Sequence, residues 1–167
     1  MKCSNAILLS VFVLAGAMGQ NFACAQSAAI TGAAVAGVHL TIALTNNVLS
    51  AGSTNIVHCV FKNSSTNDIH LERTGYLEVD CSAISLIDPS GKIYDLRPHI
   101  PFKINFSSGF ITIPSGEMYE CDIQIQIPNE AKTGKYKLNA IWRFTIANNG
   151  KFTEKEVVSN LLKIEIK

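Results

Sequence analysis

The stretch YECDIQIQIP, residues 119–128, decides the fold. From Tyr119 every second residue is apolar or a cysteine (Cys121, Ile123, Ile125, Ile127), and Glu120, Asp122, Gln124 and Gln126 fill the gaps. Side chains alternate between the two faces of a β-strand, so a strict period of two marks a strand with one buried and one wet face. The same period runs outward in both directions. TNIVHCVFKN (54–63) sets Val57, Cys59 and Phe61 against Ile56, His58 and Val60, and VHLTIALT (38–45) alternates more weakly. KYKLNAIWRFTIA (135–147) places Leu138, Ala140, Trp142 and Phe144 on one face, which makes Trp142 a core residue; an exposed Trp142 would instead suggest a sugar platform. NLLKIEIK closes the chain with Leu162, Ile164 and Ile166 against Lys163, Glu165 and Lys167.

Turn chemistry separates these runs. NSSTND (63–68) is built of residues that bond their own backbone, DPSGK (88–92) puts Pro89 and Gly91 at favoured turn positions, and ANNGK (147–151) is a hairpin signal. NNVLSAGS (46–53) reads as a turn region, SAISLID, KIYDL and FITIP as short strands, and residues 69–88 are hard to divide around Gly75. No segment beyond the N-terminal leader repeats at 3.6 residues. Seven or eight short strands with turns at regular intervals predict an all-β antiparallel sandwich, and the lack of helix-length spacers excludes a parallel α/β sheet.

The first residues have another purpose. Lys2, the apolar run Ala6–Ala17 and the small residues Ala23-Cys24-Ala25 form a secretory signal peptide, expected over 1–25. A lipoprotein anchored through Cys24 is the rival, weakened because Asn21-Phe22-Ala23 offers no aliphatic residue three before the cysteine. Residues 26–37, small and uncharged, are expected to be a flexible lead, and 38–167 a single domain of about 130 residues, long enough to bury a core. Of 14 basic residues against 13 acidic, Lys2 leaves with the leader, so the remainder is neutral. Neutrality argues against a nucleic-acid partner and against a polybasic membrane patch, and no second long apolar run could span a bilayer.

The motifs AGSTNIVHCVFKNSS, ISLIDPSGK, IPSGEMYECDIQI and TGKYKLNA resemble the immunoglobulin-like domains of secreted bacterial proteins, including macroglobulin-type and small proteinase-inhibitor domains. In that pattern a glycine turn leads into a strand ending in Asn, a D-x-x-G hairpin follows, and P-G-E and G-x-Y-x-L turns open the next strands. The resemblance covers about residues 38–167 and implies architecture, with function left open. It implies that Tyr136 could be a tyrosine corner, whose hydroxyl caps a nearby backbone group; an ordinary strand tyrosine is the alternative. With the connections it implies, the Cys59 and Cys121 strands are antiparallel neighbours. Setting Ser53 against Ile127 then puts the two cysteines opposite each other. After loss of Cys3 and Cys24 the chain keeps Cys59, Cys81 and Cys121. A Cys59–Cys121 disulfide with Cys81 left over is one reading, and two buried thiols is the other.

Chemistry is sparse. His39, His58, His70 and His99 lack zinc-ligand spacing, no G-x-S-x-G elbow is present, and the acid pairs Glu78/Asp80 and Glu120/Asp122 read as solvated strand faces. Asp88 beside its turn reads as turn chemistry before it reads as a calcium ligand. No cofactor, no metal and no enzymatic activity are expected. Two partner surfaces stand out. One is LRPHIPFKINFSSGF (96–110), where Arg97, His99, Phe102, Lys103 and Phe106 mix aromatics with positive charge, or where the phenylalanines plug one end of the sandwich. The other is the cluster of small polar loops at 63–68, 114–117 and 147–151, with Asn67, Ser115, Asn148 and Asn149. Asn63-Ser64-Ser65 and Asn105-Phe106-Ser107 fit the N-glycosylation pattern, expected to be unused. The expected function is a secreted or periplasmic, non-enzymatic binding or accessory module of a bacterial envelope, with a protein partner ahead of a carbohydrate. The alternative is an Ig-like proteinase inhibitor acting through exposed loops.

Overall fold

A computed structural model describes residues 32–73, 83–96, 109–148 and 150–167. The described chain is all strand and turn: β1 (Val38–Leu44), β2 (Val48–Leu49), β3 (Thr54–Asn63), β4 (Ile69–Arg73), β5 (Ala83–Ile87), β6 (Ile93–Asp95), β7 (Gly109–Ile113), β8 (Met118–Gln126), β9 (Gly134–Asn148), β10 (Lys151–Val158) and β11 (Leu162–Ile166). Two sheets form the sandwich. The smaller has the order β1-β3-β8, and the larger is built on β9. At fifteen residues β9 is long enough to serve two sets of neighbours, with β11 and then β10 along one edge and β5 and then β4 along the other. β7 extends the sheet beyond β4, and β6 beyond β5.

The isoleucine stripe of β8 covers the aromatics of β9. Cys121, Ile123 and Ile125 of β8, with Ile127 just past its end, and Val57, Cys59 and Phe61 of β3 are buried against Leu138, Ala140, Trp142 and Phe144 of β9. The Phe61 and Trp142 rings meet edge to face across the two sheets, centroids 4.8 Å apart at 88°. This is the geometry the ring quadrupoles favour. Trp142 is fully buried, so it offers no sugar platform.

The register expected for β3 and β8 is the one found: Ser53 O accepts from Ile127 N, and Cys59 lies opposite Cys121. Several details differ. Val48-Leu49, read as part of a turn region, pair in parallel with β11, so one ladder of an otherwise antiparallel fold runs the other way. Among the described residues there are eleven strands where seven or eight are expected, β2 being only two residues long and the ANNGK hairpin returning through the separate strand β10. NLLKIEIK does not begin as a strand. Val158 opposes Ile141 and Leu162 opposes Leu138, so Ser159, Asn160 and Leu161 face only Asn139 and Ala140: a bulge with one extra residue. Of the expected lead, Val35, Ala36 and Gly37 turn onto the domain just ahead of Val38. Val35 and Val38 exchange backbone hydrogen bonds of 3.0 and 2.9 Å around Ala36 and Gly37, both at positive φ, which defines a tight primed turn. Residues 1–31, the expected signal peptide and the first half of the lead, lie outside the described residues.

Candidate functional site

Strand direction gathers three connections at one end of the sandwich. β3 finishes there at Asn63, β4 starts there with Ile69 opposite both Ile113 and Ile146, and β9 and β10 turn there at Asn148 and Lys151. Loops 63–68 and 114–117 and the β9–β10 hairpin therefore share a surface, as expected.

Asn63 ties this end together, a role that only the strand-ending Asn of the Ig-like pattern hints at. Its side chain is fully buried. Nδ2 donates to Asn67 O (2.8 Å) and Ile113 O (2.9 Å), and Oδ1 accepts from Ser65 N (3.0 Å) and Ser65 Oγ (2.6 Å). Its backbone bonds Glu117 and Gly116 of the 114–117 turn. Ser115 Oγ donates to Ser65 O (2.6 Å), Ser115 N donates to Asp68 Oδ1 (3.3 Å), and Ser64 N donates to Gly37 O (2.8 Å). Three separate segments thus become one hydrogen-bonded knot. Every bonding position of the Asn63 amide is occupied internally, so its N-glycosylation pattern is sterically closed.

The expected partner residues divide. Asn67 is half-buried, its carbonyl accepting from Asn63 Nδ2 (2.8 Å). Ser115 is exposed with its hydroxyl donating to Ser65 O, and Asn148 is exposed at the rim. Thr66, Asp68 and Glu117 are the exposed polar side chains around them. Arg97, His99, Phe102, Lys103, Phe106 and Asn149 lie outside the described residues, as do Cys81, Glu78 and Asp80 and the Asn105 glycosylation pattern. Phe110, at the end of that aromatic stretch, plugs nothing: it is 66% exposed on the outer face of β7, with its ring set edge-on to His70.

Cys59 and Cys121 are both buried and no disulfide joins them. The ladder supplies a reason. Asn63 N donates to Glu117 O and Ile127 N to Ser53 O, and both pairs lie an even number of steps from the cysteines. Cys59 and Cys121 are therefore a hydrogen-bonded pair, whose Cβ atoms stand about 5.5 Å apart, while a disulfide needs roughly 3.5–4.5 Å. Tyr136 does form the corner: its hydroxyl donates to Lys132 O at 2.9 Å.

The remaining polar clusters are spent on one another. On the outer face of the small sheet His58 Nδ1 meets Asp122 Oδ1 at 2.8 Å and Nε2 lies 3.6 Å from Glu120 Oε2, all three side chains being open to water. Among the described residues no three His, Cys, Asp or Glu side chains are placed to hold a metal ion. Asp88 Oδ1 accepts from Ser90 N (2.8 Å), Ser90 Oγ (2.6 Å) and Lys92 N (2.9 Å). The Ser90 hydroxyl above all, helped by the backbone N–H groups of Lys92, Ser90 and Gly91, holds this carboxyl below the usual range against the opposing effect of desolvation, which exceeds that of any single backbone bond. That oxygen caps a turn. Among the described residues no helix is long and apolar enough to cross a membrane.

No protein-family model matches the chain, and no curated protein matches it. Solved structures do. A Northeast Structural Genomics Consortium target, SoR45, superposes with TM-score 0.50 at 10% identity, over 79% of this chain and 88% of its own. The CARDB domain of the PF1109 protein from Pyrococcus furiosus, described in complex with di-metal ions, is similar at 10% identity and TM-score 0.38, covering 78% and 87%. A PapD-like domain of human CEP192 is similar at 13% identity and TM-score 0.30, covering 78% and 82%. At such identities the likeness is one of fold. The two sheets and their connections define the chain as an Ig-like β-sandwich.

Proposed function

We propose that the chain is a secreted, non-enzymatic binding or accessory module of a bacterial envelope, and that it meets a protein partner through the loop-bearing end. The observation that carries this reading is the Asn63 knot, which fixes loops 63–68 and 114–117 to each other and to the 35–37 turn. A surface locked before binding loses little conformational entropy on binding, the main saving available to a small interface. Tight turns such as Pro114–Glu117 favour this reading over the inhibitor alternative, which calls for a protruding extended segment. The mature chain, carrying a photo-crosslinker at Asn148 on the same rim, is expected to capture one envelope protein. Thr66→Arg with Glu117→Arg is expected to abolish capture while leaving the melting temperature unchanged. Capture that survives both substitutions, or stoichiometric slowing of a protease panel, would sink the reading.

A further inference from the structure

We propose that the outer face where β9, β11 and β2 meet is a binding site for an acidic polysaccharide. Here the ladder sets Lys163 directly opposite Lys137, and Lys135, two residues along the same face of β9, opposite Glu165. Lys135, Lys137 and Lys163 are exposed, and Lys167 reaches the same Glu165 at 3.9 Å. Four lysines thus stand around one carboxylate, in a chain whose 14 basic and 13 acidic residues nearly balance as a whole. Like charges directly opposed across a ladder destabilise it. An arrangement that costs stability when bare is relieved by an anion.

The lysines border a groove of about 540 Å³, floored by the backbone of β9 and β11 and walled by Asn47 and Val48. Side chains two apart on a strand stand about 7 Å apart, and opposed ones about 5 Å, so the charges form a short row rather than a point. That geometry suits a linear ligand with anionic groups along its length. Its chemistry separates the candidates. Cores of protein interfaces are poor in lysine and rich in Tyr, Trp and Arg, and here lysine alone supplies the charge. Among the described residues lining the groove none offers a base-stacking platform, since Tyr136 is buried with its hydroxyl on Lys132 O. A lipid surface would call for a convex patch with an apolar wedge, whereas here the exposed Val48 is one side chain in a groove lined also by Lys135, Lys137, Lys163 and Glu165. Strongly hydrated, flexible ammonium groups tolerate the irregular charge spacing of uronate or sulfated glycans.

The test uses the mature chain with dextran sulfate and polygalacturonate as probes, and neutral dextran, poly-glutamate and anionic vesicles as comparators. Binding to at least one acidic glycan is expected, weakening as salt screens it. Lys137→Glu turns the repulsive pair into an attractive one, so it should fold at least as well while binding about tenfold or more weakly. Lys151→Glu with Lys155→Glu on β10, outside the groove, should change binding less than twofold, and the loop-end pair Thr66→Arg/Glu117→Arg should leave it untouched. Four results would overturn the proposal: no glycan binding at low salt, equal binding to neutral dextran, equal loss in the β10 variant, or poly-glutamate or vesicles bound as tightly as the glycans.

Discussion

The side chain of Asn160 makes to the backbone of Ile42 the two hydrogen bonds that a neighbouring strand would make. Oδ1 accepts from Ile42 N at 2.6 Å and Nδ2 donates to Ile42 O at 3.0 Å. Ile42 lies on β1, at the edge of the small sheet, and Asn160 in the bulge between β10 and β11 of the large one. One buried amide therefore closes the seam between the sheets. The bulge that aims it is itself stitched, with Ser159 N donating to Ala140 O, Ser159 Oγ accepting from Ala140 N and donating to Asn160 O.

Asn160→Ala strands the N–H and C=O of Ile42 without partners. Leaving a buried polar group unsatisfied costs about 1–3 kcal/mol each, so a loss of about 2–4 kcal/mol is expected in urea unfolding. A loss below about 0.5 kcal/mol, the level of an ordinary surface change, would show that the seam closes without the amide.

The loop end should respond as a unit. Asn63→Ala removes four hydrogen bonds from one buried side chain and is expected to cost about 2–4 kcal/mol. Gly37→Ala should cost about 1–3 kcal/mol, because φ is +81° there and a Cβ would sit 2.8 Å from Ser65 N. Since both act on the 63–65 segment, the double variant should lose less than the sum of the two. Strict additivity of thermal or urea unfolding energies would mean that the turn and the loop are energetically independent.

Asp88 gives a pH dependence whose sign is fixed. Hydrogen bonds to its ionised form lower its folded value, so the stabilisation is fully present above the ordinary aspartate value of about 3.9 and fades as pH falls through the lower folded one. Asp88→Ala should therefore be less stable than the parent at neutral pH, with the gap narrowing on acidification below about pH 4. A gap that widens toward acid would contradict the turn-cap role.

How much of this was readable beforehand follows the range of each interaction. Alternation along β3 and β8 is local and fixes which side chains face inward, so the buried stripe and even the Cys59–Cys121 register were legible. Whether opposed cysteines fall in a hydrogen-bonded or a non-bonded pair is decided by where the ladder closes, and hydrophobic pattern carries no trace of that. β2 escaped because two residues have no period, and their pairing depends on β11, more than a hundred positions away. Asn160 sits before an alternating run and looks like its first polar residue; only the bulge turns it inward. Lys137 and Lys163 each read as the wet face of their own strand, and their opposition exists only in the register.

The cysteine geometry makes its own prediction. With the pair held at hydrogen-bonded spacing, Cys59 and Cys121 should alkylate without prior reduction once the chain is unfolded, and resist alkylation while it is folded and both are buried. A peptide carrying a Cys59–Cys121 link in non-reduced protein would show that the strands yield the distance a bridge requires.

Trp142 is the only tryptophan, so its fluorescence reports on the core alone. Its ring is fully buried against Phe61, and its Nε1 has no acceptor among the described residues. Emission should be blue-shifted, insensitive to iodide and unchanged by neutral glycans, then move to the red on unfolding. Trp142→Ala should cost roughly 3–5 kcal/mol through the cavity it opens. Trp142→Phe should cost clearly less, because it keeps most of the ring contact with Phe61 and removes a buried donor that has no partner to lose. Equal losses from the two substitutions would mean that the indole N–H has an acceptor in the folded protein, and that polar bonding rather than ring packing holds the sheets together at this point.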